Sequence, residues 1–184
     1  MWLHTEFQCK MEEADTLMDQ AAADETKPYD EKYKAREILK NLKMNEYLSE
    51  KYTKLRESAE NVSENNSTAS VSQGSDIMRC ALGLIMHKLG INFYDAEEAS
   101  EALEYLKKAL ELMDSLPDML KLRHLNIVQD LYNYMAIINA DREKGKEAME
   151  YLEKSEEIYQ IVVEHTKEYP QKTFMTNFDL YLLK

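Results

Sequence analysis

Glu101-Ala102-Leu103-Glu104-Tyr105-Leu106 returns 46 residues further on as Glu147-Ala148-Met149-Glu150-Tyr151-Leu152, with one apolar side chain exchanged for another. Leu89-Gly90-Ile91-Asn92-Phe93 precedes the first copy and Ala109 follows it, while Met135-Ala136 and Ser155 hold the matching offsets around the second. Two antiparallel helices approach closely only where a small side chain on one admits a large one from the other. Gly90, Ala102 and Ala109 are therefore expected to make room for Phe93 and Leu106. One stripe of Ala and Leu at helical spacing fits any helical bundle, but two copies in register favour a repeat array.

The rest of the composition agrees with helices. The 184 residues are 44% apolar, enough for a real core, and only 4 Gly and 3 Pro leave few places to turn. Acidic residues outnumber basic ones 35 to 23, a net charge of −12. Such a surface repels nucleic acid and anionic lipid, so neither is expected as a partner, and a basic protein surface is the more natural ligand. Cys9 and Cys80 lie far apart without metal or redox spacing, and Cys80 falls on an apolar helical face where it reads as a small core residue. The opening residues turn acidic at once and no stretch of about 18 apolar residues exists, so a soluble, cytoplasmic protein is expected, without a signal peptide or membrane insertion.

Taken in order, residues 1–59 read as an N-terminal helical hairpin. Leu3, Phe7, Met11, Ala14, Leu17 and Met18 mark one helix to about Ala23, Lys27-Pro28-Tyr29 breaks it, and a second runs from about Asp30 to Ala59. Residues 60–75, rich in Ser and Asn, have almost nothing to bury and read as a disordered loop. Residues 76–170 read as two long hairpins. Asn92 to Ala96 is expected to form the first turn, with Asp95 and Glu98 as a capping box, and one helix is expected from Pro117 to about Asp141. Residues 171–184, with Phe174, Phe178, Tyr181 and Leu182, read as the start of a further helix, apparently truncated, whose apolar face requires more of the solenoid or another chain.

The spacing of Gly90, Phe93, Ala102, Leu106 and Ala109 fits the tetratricopeptide pattern, although the 46-residue period exceeds the usual length of about 34 by roughly three helical turns. The expected fold is all-α: antiparallel hairpins stacked as a tetratricopeptide-like right-handed solenoid. Further segments, Lys27-Pro28-Tyr29-Asp30-Glu31-Lys32-Tyr33-Lys34-Ala35-Arg36, Leu89-Gly90-Ile91-Asn92, Tyr151-Leu152-Glu153-Lys154-Ser155-Glu156-Glu157-Ile158-Tyr159 and Thr176-Asn177-Phe178-Asp179-Leu180-Tyr181-Leu182, carry a likeness from end to end. In them the chain resembles the KIF-binding proteins, a kinesin-binding family of cytoplasmic tetratricopeptide-type solenoids. It departs from the repeat pattern at Ala136 and Asn139, where glycine and an aromatic residue are expected. The resemblance implies a cytoskeleton-associated protein that binds kinesin motor domains through a concave surface and keeps them off microtubules, as part of a longer chain.

In that fold the first helix of each hairpin lines the concave face. The resemblance therefore implies His87, Ile91 and Tyr94 from one repeat, and Asp130, Asn133, Ile137 and Asp141 from the next, as partner contacts. The alternative is that longer hairpins turn these positions into core or solvent. No catalytic residue, cofactor or metal is expected: His4, His87, His124 and His165 lack ligand spacing, and no phosphate loop or nucleophile turn is present. Two other readings remain. A co-chaperone needs a carboxylate clamp of Lys and Asn, of which only Asn133 is in place; an assembly scaffold needs no motor at all.

Overall fold

The computed structural model describes residues 2–23, 28–44 and 68–168, with side chains for 7–23, 29–42 and 76–164. Among them are seven helices and no strand: α1 (Trp2–Ala23), α2 (Pro28–Met44), α3 (Thr68–Asp95), α4 (Ala99–Asp114), α5 (Asp118–Arg123), α6 (Leu125–Asp141) and α7 (Gly145–Glu168). The apolar faces dictate the pairing. Helix α1 packs on α2, α3 on α4, and α6 on α7, while α2 bridges to α3 and α6 rests on both α3 and α4. Leu39, Ile85, Leu89, Leu106, Met113, Leu131, Met135 and Ile138 are fully buried where these faces meet, each stabilising the fold by about 1.5–3 kcal/mol relative to exposure.

The 46-residue period is built into the turns. Glu97 and Glu143 both adopt a left-handed backbone, at φ 63° and 59°. Around the first, Glu97 N–H donates to the Tyr94 carbonyl at 2.8 Å and Glu98 N–H to that of Phe93 at 2.9 Å. Around the second, Glu143 N–H donates to Ala140 at 2.9 Å and Lys144 N–H to Asn139 at 2.8 Å. These paired bonds close a helix by satisfying its last carbonyls, and they turn α3 into α4 and α6 into α7 identically.

The knob and notch hold in the first hairpin. A Cβ on Gly90 would lie 2.6 Å from Leu106 Cγ and Cδ2, so only glycine lets the two helices meet there. A Cβ on Gly83 would lie 2.8 Å from Met113 Cε, the flexible tip of that side chain, so this contact is the more forgiving of the two. In the second hairpin Ala102 and Ala148 remain equivalent, 0% and 5% exposed, but Leu152 is 46% exposed where Leu106 is 0%. Ala136 carries the Cβ that Gly90 lacks. Asn139, in the place of Phe93, is buried and returns its amide Nδ2 to the Met135 carbonyl at 2.7 Å.

Several boundaries differ from expectation. Helix α3 begins at Thr68, inside the stretch expected to be a loop through residue 75; once the buried face downstream has nucleated the helix, each added turn costs little. Residues 60–67, the second helix beyond Met44 with Tyr47, Leu48 and Leu55, and the helix expected over 171–184 lie outside the described residues. The first turn falls later, because α3 continues to Asp95. The capping box does not form, and Glu98 instead accepts a bond from Arg36 Nη1 at 2.7 Å. The single helix expected after Pro117 is broken at His124 (φ −113°, ψ 20°), a buried residue whose Nε2 lies 3.3 Å from Cys80 Sγ.

The N-terminal hairpin is locked to the next by a buried arginine. Arg36 Nε donates to Asn92 Oδ1 at 2.8 Å, and Asn92, fully buried, donates its Nδ2 to the Lys32 carbonyl at 2.9 Å. The Arg36 guanidinium lies 3.8 Å from the centre of the Phe93 ring, which stacks at 5.0 Å on Tyr105 of α4. One side chain thus ties α2, α3 and α4 together.

Candidate functional site

Positions 87, 91 and 94 share one face of α3, since residues three or four apart are neighbours on a helix. That face meets α6. His87 Nε2 lies 2.8 Å from Asp130 Oδ2, and Tyr94 Oη donates to Asp141 Oδ2 at 3.2 Å. The Tyr94 ring meets Tyr134 edge-on at 5.7 Å. Burial, reinforced by Asp141, pushes the Tyr94 phenol above its usual pKa, and burial with Asp130 does the same for Tyr134. Both hydroxyls stay protonated, and Tyr94 directs its one donor hydrogen at Asp141.

Along this seam runs a groove of about 440 Å³ between α1, α3 and α6. Phe7 and Leu84 are buried in it, with Met11, Ile91 and Ile127 half-buried beside them. Glu12 and Asp15 from α1 and Asp130 from α6 supply carboxylates, and Lys88 reaches across to Asp15 at 2.7 Å. His87 is 3% exposed at its base.

Of the seven expected residues, His87, Ile91 and Asp130 line this groove, and Tyr94 with Asp141 joins α3 to α6 toward the C-terminal ends of both helices. The other two lie elsewhere. Asn133 accepts a bond from Ser155 Oγ at 2.6 Å and borders a separate open depression of about 770 Å³ between α6 and α7. Ile137 is 44% exposed and lines neither. Sequence reasoning missed the contribution of α1, from Phe7 to Asp15, because a periodic repeat says nothing about which earlier helix lies alongside. Asn126 and Lys88 were missed too, although each lies four positions or one from an expected contact.

Among the described residues no group of three His, Cys, Asp or Glu side chains could hold a metal ion, and no helix is long and apolar enough to cross a membrane. The buried Cys80 thiol is pushed up to about 12 by burial, which keeps it protonated, with its Sγ 3.3 Å from His124 Nε2. A protonated buried thiol is a poor nucleophile. What the seam offers is shape, apolar surface and negative charge, the means of recognising another molecule. The chain matches no protein-family model, no curated protein and no solved structure.

Proposed function

We propose that the chain is a tetratricopeptide-like right-handed solenoid that binds kinesin motor domains along the α1–α3–α6 groove and keeps them from microtubules, as its resemblance to the kinesin-binding family implies. The observation that carries this reading is the groove itself, in which Glu12, Asp15 and Asp130 surround an apolar floor. A motor must present a basic face to hold an acidic filament, and a strongly acidic protein competes for that face. The net charge of −12 and the turn-by-turn 46-residue repetition support the same reading. Its place of action is then the cytoplasm, at the cytoskeleton.

The test is a pull-down of kinesin motor domains at about 0.05 and 0.15 M salt, across which the reach of charge shortens. Binding should weaken with salt, and the double substitution Asp130→Lys, Asp141→Lys should abolish it. Affinity unchanged by both salt and charge reversal rejects the reading. A second reading, an assembly scaffold, is favoured by Met149, Leu152, Tyr159 and Ile161, which stand 45–56% exposed on α7; it predicts no affinity for any motor. A carboxylate clamp has no such support, because Asn133 is engaged by Ser155.

A further inference from the structure

We propose that the α1–α3–α6 groove contains a seat for one arginine side chain, presented from the apolar face of a partner's helix. This rests on the reading of the seam as a docking surface and names the chemistry it recognises. Two buried atoms point to it: His87 Nδ1 and Asn126 Oδ1 have no hydrogen-bond partner among the described residues, and both residues line the groove. With Nε2 directed at the Asp130 carboxylate, Nδ1 is the ring nitrogen left without a partner. Asn126 Oδ1 is an acceptor. Buried polar atoms without partners are rare in folded proteins, and two beside one groove, one of them an amide oxygen, call for a polar group from outside.

The surroundings select the kind of donor. Carboxylates of Glu12, Asp15 and Asp130 favour a cation, and Lys88, the lysine among the lining residues, is occupied by Asp15. A guanidinium suits an amide oxygen and a carboxylate together better than an ammonium does, because its five N–H groups are fixed in a planar fork. The apolar floor of Phe7 and Leu84 receives the side chains flanking that arginine.

The probe is a synthetic amphipathic helical peptide with one arginine in its apolar face, compared by calorimetry with the same peptide carrying citrulline, which keeps the shape and loses the charge. The full chain should prefer arginine by about tenfold or more, the scale of a charge-assisted hydrogen bond, and Asp130→Asn should remove that preference. In wild-type protein the His87 Nδ1 resonance should shift with the arginine peptide and not with citrulline, a readout that needs no variant to fold. Equal affinities, no binding of either peptide, or an unmoved Nδ1 resonance overturns the seat. Motor binding that survives Asp130→Asn also overturns the seat while leaving the docking reading intact; an arginine preference without motor binding keeps the seat and removes the motor.

Discussion

Gly90 and Leu106 test the packing at the scale of single residues. Gly90→Ala drives a Cβ into the Leu106 side chain and should destabilise the chain by about 1–3 kcal/mol in urea unfolding. Leu106→Ala should cost about 2–5 kcal/mol, while Leu152→Ala, its half-exposed counterpart one period later, should cost under about 1 kcal/mol. Equal costs for the two leucines would contradict the described difference between the hairpins. His124 supplies a second test. Burial, then the Arg123 charge, lowers its pKa below the ordinary 6.5, so the unfolded chain binds the proton more readily. Stability from this residue is fully present above about pH 6.5 and is lost progressively as pH falls below it toward the lower folded pKa. Unfolding midpoints at pH 7.5 and 5.5 should therefore fall further apart in the wild type than in His124→Gln; equal separations contradict the assignment. The Gly90–Leu106 contact was legible because both partners sit in one local pattern. The His124 break was not, because the thiol beside it comes from Cys80 on another helix.

Helix existence was written in apolar periodicity, and helix ends were not. Asp95 and Glu98 have the spacing of a capping box, yet Arg36 from α2 takes Glu98 and the helix runs on to Asp95. Similarly, the buried Arg36–Asn92 bond joins residues 56 positions apart, beyond any local pattern. The turns carry the clearest prediction at this scale. Glu143 holds a left-handed conformation that costs an L side chain about 1 kcal/mol or more and that glycine adopts freely. A Cβ there makes the conformation, not the contact, the problem. Glu143→Gly should thus raise the unfolding free energy by about 0.5–1 kcal/mol without changing the denaturant slope. A loss of stability would show that the glutamate side chain contributes more than its backbone strain.

The whole molecule joins three helical pairs so that α1, α3 and α6 share one acidic groove, while α7 presents apolar residues on another side. The tetratricopeptide register assigned His87, Ile91, Tyr94, Asp130 and Asp141 to the first helices of successive hairpins, and α3 touches α6 through four of them. It could not place α1 opposite them, nor show that Ser155, which stands where the first repeat has Ala109, supplies a hydroxyl that bonds Asn133. The groove and the α7 face make opposite demands on a partner, one cationic and one apolar. Hydrogen exchange of the full chain with and without a kinesin motor domain separates them. Binding along the groove predicts slowed exchange across Phe7–Asp15, Leu84–Ile91 and Asn126–Asp130, fading as salt rises. Protection confined to Met149–Ile161 of α7, or none at all, would contradict it.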